Sequence, residues 1–549
     1  MSGKPKAKGA SRHHRRRAFV LVAATALAFS VEVGQLALLG LKGSTAVRSD
    51  PVETITRNVA RPDIVDRNGR LLATDIAMPS VFVDPRRVLD KDEVAEKLAS
   101  ALPGIDQRQL LSDLDDKARR FVWVKRGLTP AEAQRVHDLG LPGVSFRDEP
   151  RRVYPAGEDG GHVIGFVDVE NHGAAGIERY LDQQNLTDLT DGATRSERAP
   201  VALSIDIAVQ HTVRSELERA MMDFGAGAAA ALVLDLHTGE VLADVSLPDF
   251  STGNAALSLQ PNRLDRVTGG TYELGSVFKT ITLAMAQEAG VLQPGKLYDA
   301  TQPLQVGKST IDDFHPTRRQ LTAEEVFLHS SNIGASLMAL DVGEVAMRAF
   351  LERLKLTTPI TTELGRVAPP QLPPRWGKAT TMTVSFGHGI AIAPLQFAAA
   401  AAGLITGKQL EPTFLKRAVT SAPGSDAALI ATRTREFLGA LLQHNVTNPE
   451  GTGKRAAVPG YDVGGKTGTA DIPGKGGYGR QGVLSSFLAA WPMSQPRYLS
   501  YLMLWAPQPT EADHGQTTAG LTAAPVTSRL IARISPQLGL APVFGDGGT

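Results

Sequence analysis

Ser276-Val277-Phe278-Lys279 is the only Ser-x-x-Lys in the chain. On a helix, residues three apart share a face one turn from each other, so the amine can take the hydroxyl proton. That chemistry needs the amine uncharged, which burial or a neighbouring positive charge would favour. Ser330-Ser331-Asn332 is the only Ser-x-Asn and Lys466-Thr467-Gly468-Thr469 holds the only Lys-Thr-Gly. A hydroxyl beside a Ser/Lys pair relays a proton, and an amide offers a peptide both a donor and an acceptor. A strand over 463–470 presents a cation and two hydroxyls, with Gly468 removing a side chain that would block a substrate along the edge. Each motif alone has a bland reading: a solvated Lys beside a capping Ser, a polar helix end, a strand with one exposed Lys. Each is unique, and together the three suit a serine nucleophile activated by a lysine amine beside a peptide-binding strand.

Other chemistries lack their residues. With no Cys there are no disulfides, thiolate metal sites or thiol nucleophiles. No His-Glu-x-x-His occurs among the 12 His. Gly464-Gly465-Lys466-Thr467-Gly468 lacks the spacing of a phosphate loop. The 58 Lys and Arg nearly balance 57 Asp and Glu, which argues against a global nucleic-acid binder. Length and a 42% hydrophobic content fit a globular chain of about three domains.

The charge balance hides a basic arm. Residues 1–17 carry Lys4, Lys6, Lys8, Arg12, Arg15, Arg16 and Arg17 and no acid. An apolar run, Ala18 to Leu41, follows at once, broken only by Glu32 and Gln35. A nucleic-acid arm would interleave aromatic residues, which are missing. A cleaved signal peptide and a single membrane span both remain open. For a span, Leu, Val and Phe contribute about 5 kcal/mol, and a central acid costs about 3 kcal/mol. The basic arm would then stay cytoplasmic and everything after residue 42 would lie outside.

Positioning elements are readable further on. Asp63 to Ala73 is a strand–turn–strand signal with Asn68-Gly69 at its turn. Helices are expected near 91–101 and 129–139, and the polar stretch Thr190 to Pro200 reads as a boundary. From Val201 a hairpin is expected, Leu232–Leu236 and Val241–Val245 around His237-Thr238-Gly239-Glu240. Helices then follow at 276–289, 323–342 and 394–406. Strands follow near 463–470, 484–491 and 497–505, with Gly474 to Gly482 as a loop between the first two. Strands, a long helical middle, then strands suggest an α+β or α/β sheet domain.

The motif order Ser-x-x-Lys, Ser-x-Asn, Lys-Thr-Gly is that of class A β-lactamases and penicillin-binding proteins, with Ser331 where Asp is usual. The chain resembles the class B penicillin-binding proteins, most of all the division-specific peptidoglycan D,D-transpeptidases (FtsI-like). Tyr272-Glu273-Leu274-Gly275-Ser276 is similar to their nucleophile segment, with Leu274 replacing Pro. Arg61-Pro62-Asp63 through Gly69, Arg152-Val153-Tyr154-Pro155, His162 to Phe166 and Gly176-Ile177-Glu178 resemble elements of their N-terminal module. Ser385-Phe386-Gly387-His388-Gly389 and Pro394-Leu395-Gln396 resemble a later segment.

The resemblance implies an α+β architecture: a basic cytoplasmic tail (1–17), a transmembrane helix (18–41) and an elongated pedestal or dimerisation module (42–200). A penicillin-binding transpeptidase domain (201–540), an antiparallel sheet flanked by helices, and a tail (541–549) would complete it. It implies Ser276 as the acylated nucleophile, Lys279 as its base and Ser330 as proton relay. Asn332, Lys466, Thr467, Gly468 and Thr469 would bind the substrate, and the backbone N–H groups of Ser276 and Thr469 would form the oxyanion hole. The implied donor is a D-Ala-D-Ala stem peptide of peptidoglycan, the acceptor an amine on a neighbouring stem, and β-lactams covalent inhibitors. No metal or organic cofactor is implied. Implied partners are the membrane, a multi-span glycan polymerase of the shape, elongation, division and sporulation (SEDS) class and other divisome proteins, and the location is the inner membrane with the catalytic domain periplasmic. An elongation-specific class B enzyme and a β-lactam-sensing receptor are the alternatives. A receptor would need several spans and an effector region, and a β-lactamase a shorter chain with a deacylating Glu.

Overall fold

Asn68-Gly69 turns the chain as its type predicts. Asp66 Oδ1 accepts from the N–H groups of Asn68 and Arg70, each at 2.8 Å, and Gly69 takes a φ of 83°. The computed structural model describes residues 61–186, 199–253, 255–307, 309–417, 428–474, 477–510 and 515–544. The basic arm, the apolar run, most of the Thr190–Pro200 boundary and the last five residues lie outside these. Among the described residues no helix is long and apolar enough to cross a membrane.

The turn joins β1 (Ile64–Val65) to β2 (Leu71–Val83), which also pairs antiparallel with β3 (Val122–Lys125) and β4 (Val144–Val153). Helices Lys91–Ala101 and Pro130–Asp138 form where expected, and the second opens on a capping box between Thr129 and Glu132. Val81, Val83, Leu98, Leu110 and Leu114 make a small core of their own. Glu178 is wholly buried between two guanidinium groups, with Arg61 Nε at 2.8 Å and Arg152 Nε at 2.6 Å. A short strand, β5 (Val201–Ala202), pairs parallel with β1 and leads into the next sheet.

That sheet has five antiparallel strands. Its order is β8 (Gly464–Gly474), β9 (Gly477–Trp491), β10 (Tyr498–Trp505), β6 (Ala228–Asp235), β7 (Val241–Leu247). Every residue of β6 and β7 is buried, because both faces are covered. On one face Val213 and Leu217 of helix Ile207–Phe224 pack with Leu530 and Ile534 of helix Ala523–Gln537. On the other lie helices Lys279–Glu288, Asn332–Val342 and Pro394–Thr406.

Three expectations are corrected in detail. Residues 275–278 form a 3-10 turn, and the α-helix begins only at Lys279. The expected helix 323–342 is two helices, Ala323–Leu328 and Asn332–Val342, parted where Ser330 takes a left-handed φ of 58°. The expected loop 474–482 is mostly strand, since Gly474 pairs with Gly477 and tightens the hairpin.

Candidate active site

The nucleophile motif sits on a turn pressed against β8. Gly275 has a φ of 59°, and a Cβ there would fall 2.4 Å from the Thr469 carbonyl oxygen. Gly387 closes on the same turn from the other side, where a Cβ would meet the Gly275 oxygen at 2.4 Å. Both glycines are therefore required by close backbone approach. The turn holds Ser276 at the wall of a cleft of about 610 Å³, while Lys279, one turn on, is wholly buried beneath it.

Ser330 and Asn332 reach Lys279 because the chain breaks between the two helices. Lys279 Nζ lies 2.8 Å from Ser276 Oγ, 2.7 Å from the Ser330 carbonyl oxygen, 2.7 Å from Asn332 Oδ1 and 3.3 Å from Ser330 Oγ. Ser331 caps the second helix, its Oγ accepting from the Gly334 N–H at 2.9 Å. A single hydroxyl bridges the two lysines, since Lys466 Nζ donates to Ser330 Oγ at 3.0 Å.

Strand alternation sorts the third motif into two faces. Thr467 and Thr469 line the cleft; Lys466, expected to bind substrate, is instead wholly buried and turns inward, over the Phe327 ring. Gly468 also turns inward, which corrects the expectation that it clears room for substrate. A Cβ there would strike the Leu274 oxygen at 2.7 Å and Val277 at 2.8 Å, so the missing side chain lets the nucleophile turn seat on β8. Thr467 Oγ1 donates to Thr452 Oγ1 at 2.9 Å, and Asn445 from helix Thr432–Thr447 donates to the Gly465 carbonyl at 2.8 Å. These contacts tie the strand to Asn445 and Thr452.

All eight sequence-derived residues thus converge on one place. Burial pushes the Lys279 ammonium down to about 7, against the opposing pull of the Asp313 carboxylate. Burial also holds Lys466 well below its ordinary value, with the Lys279 charge acting in the same direction. Two ammonium groups bridged by one hydroxyl in a dry interior cannot both keep a proton cheaply.

Sequence reasoning missed several supporting groups. Asp313 accepts from Ser331 Oγ at 2.7 Å and from the Ile333 N–H at 2.9 Å. Glu273 pairs with His388 at 3.1 Å at the cleft wall and raises its pKa. Glu273 and His388 stood in quoted motifs without a role; Asp313, Thr452 and Asn445 carried no signal, being set by tertiary contact alone.

Comparison with known proteins agrees with this geometry. Residues 229–532 match the family described as penicillin binding protein transpeptidase domain, and residues 56–192 match the penicillin-binding protein dimerisation domain. The chain is 38% identical to the probable peptidoglycan D,D-transpeptidase FtsI of Caulobacter vibrioides, over 88% of this chain and 82% of that one. It is 28% identical to the peptidoglycan D,D-transpeptidase FtsI of Escherichia coli, over 88% and 85% of the two chains. Among solved structures, the transpeptidase domain of Burkholderia pseudomallei penicillin-binding protein 3 aligns with a TM-score of 0.55 at 28% identity, covering 62% of this chain and 97% of that one. With both domains matched in order and the three motifs gathered around one cleft, this chain belongs to the penicillin-binding proteins of class B, of the FtsI type.

Proposed function

We propose that the protein is a serine D,D-transpeptidase that cross-links peptidoglycan stem peptides during septal wall synthesis. The observation that carries this is the seat of Lys279 Nζ, 2.8 Å from Ser276 Oγ and 2.7 Å from two oxygens that can only accept. Neutral Lys279 has two N–H groups for the Ser330 carbonyl and Asn332 Oδ1, which leaves its lone pair facing the Ser276 hydroxyl.

In this reading Lys279 takes the hydroxyl proton as Ser276 Oγ bonds to the penultimate D-Ala carbonyl carbon. The charge on the carbonyl oxygen falls to the Ser276 and Thr469 N–H groups, typically worth about 3–4 kcal/mol per donor. The C–N bond then breaks, the terminal D-Ala leaves as an amine, and its proton comes from Lys279 by way of Ser330 Oγ. An acceptor amine attacks the ester, gives a proton to Lys279, and Ser276 leaves with a proton returned. Asn332, Thr467 and Thr469 hold the stem peptide, and Lys466 keeps the relay hydroxyl oriented. A β-lactam enters the same first step and stays on Ser276. After incubation with a penicillin, mass spectrometry should place the adduct on the Ser276 peptide; normal labelling of Ser276→Ala would refute the assignment.

We further propose a single membrane span over 18–41, with the N-terminus cytoplasmic and the catalytic domain periplasmic. The basic arm beside an apolar run supports it. A periplasm-only reporter fused after Asp50 should be active and membrane-bound, whereas release with a new N-terminus would favour a cleaved signal. The chain matches a transpeptidase domain and a dimerisation domain, and in this reading it works beside a separate polymerase of the SEDS class and other divisome proteins. Depletion should then give filaments; spheres would favour an elongation role.

A further inference from the structure

In the Ser-Asp-Asn form of the second motif the middle residue is a carboxylate. This chain has Ser331 there, neutral and 1% exposed, so the motif itself supplies no charge. A carboxylate from earlier in the chain nevertheless bonds to that residue. Asp313, which follows the short strand Ser309–Ile311, is 8% exposed and uses one oxygen on the motif and the other on the residue after it. Its Oδ2 accepts from Ser331 Oγ at 2.7 Å and its Oδ1 from the Ile333 N–H at 2.9 Å. The residue before it adds a third tie, since the Asp312 carbonyl accepts from Asn332 Nδ2 at 3.1 Å. That bond leaves Asn332 Oδ1 aimed at Lys279.

We propose that Asp313 is a positioning residue for acyl transfer, a carboxylate supplied in trans to the Ser-Ser-Asn motif. It fixes Ser330 and Asn332 around Lys279 and sets negative charge under that amine. The inference rests on the acyl-transfer reading above and adds a residue that none of the three motifs contains. Two facts give it force. Ser330 holds a left-handed φ of 58°, which a serine keeps only where its neighbours are fixed. Lys279 is faced by one anion, Asp313, and one cation, Lys466, and the other groups around its Nζ are neutral. Asp313 opposes the effect of burial on Lys279, so it limits how far the amine falls. An amine pulled too low would be neutral but a weak base.

The test is the acylation rate of the full chain in detergent with a fluorescent penicillin, measured by stopped flow between about pH 5.5 and 9.5. In the wild type the rate climbs through the Lys279 titration to a plateau. Asp313→Asn should move that midpoint to lower pH by about one unit and lower the plateau at least about tenfold. Ser331→Ala keeps the charge and removes one tie, so the plateau should fall with the midpoint in place. Asp313→Glu keeps the charge and misplaces it, and should behave like Ser331→Ala; it decides the matter if Asp313→Asn does not fold. An unmoved midpoint in Asp313→Asn, or wild-type plateaus in Ser331→Ala and Asp313→Glu, overturns the proposal. A wild type that never labels Ser276 would instead bring down the acyl-transfer reading itself.

Discussion

Replacing Lys279 by Arg tests the site most severely, because it keeps charge and length but removes the base. Lys279 sits at about 7, so about half of the molecules hold a neutral amine at pH 7. At the ordinary lysine value the neutral fraction would be about one in 3,000. Burial therefore supplies roughly three orders of magnitude of reactive enzyme before any transition-state effect. A guanidinium titrates above about 12, so its neutral fraction at pH 7 is below about 1 in 100,000. Acylation in Lys279→Arg should fall at least about 1,000-fold and should not recover at about pH 9, while the wild-type rate climbs through about pH 7 and levels off.

The same titration has a stability side with a definite sign. Lys279 has a lower pKa folded than unfolded, so between about 7 and 10.5 the unfolded chain binds more protons and stability rises with pH. Below that window the folded chain carries the full cost of a buried ammonium, on the order of 5 kcal/mol. In a Ser276→Ala background, replacing Lys279 by Gln should flatten the rise in unfolding midpoint from about pH 7 to pH 9. A pH-independent acylation rate, or a Lys279→Arg variant within about tenfold of wild type, would refute the assignment of Lys279 as base.

Gly275→Ala should destabilise the chain by about 1–3 kcal/mol and slow acylation at least about tenfold, read by thermal melting and penicillin labelling. Its φ is left-handed and the new methyl would collide with the Thr469 oxygen. Glu178→Ala should cost about 3–5 kcal/mol in melting experiments, because it leaves Arg61 and Arg152 buried without their shared anion. The folded fraction of that variant should still label at Ser276 at a normal rate. At position 330 the usual order of Ala over Gly should invert: Ser330→Gly relieves a left-handed backbone and should melt above Ser330→Ala. Both variants should acylate poorly, since each removes the hydroxyl between the lysines.

Strong local signals were legible where local chemistry decides the outcome. Asn68-Gly69 forced a turn, Thr129 and Glu132 capped a helix, and the paired strands around Thr238 were short apolar runs parted by a polar turn. The catalytic residues were legible because three rare motifs constrain one another. Helix Ile207–Phe224 was missed because Gln210, Thr212 and Glu216 are buried on its inner face and break the apolar period. Gln210 spends its side chain on both backbone groups of Asp244, on the outer strand β7, a purpose visible only when both are in place. Helix Ala523–Gln537 faces Glu216 with Arg529 and Arg533, so its inner charge also looked like surface.

A second misread element that bears on catalysis, besides the nucleophile turn, is the helix expected over 323–342. No Gly or Pro stands between Ala323 and Ile333, so no backbone breaker in the sequence marks the interruption at Ser330. The fold instead spends a left-handed serine and two helix ends there, together a cost of a few kcal/mol. A continuous helix would keep the Ser330 carbonyl for its own hydrogen bond, and Lys279 would lose an acceptor 2.7 Å away. The break frees that carbonyl, caps the following helix with Ser331 and points the Ser330 hydroxyl between two buried lysines. The Asp313 carboxylate ties the break down. Local preference gives way here because two buried lysine amines need oxygen partners more than the backbone needs another turn of helix.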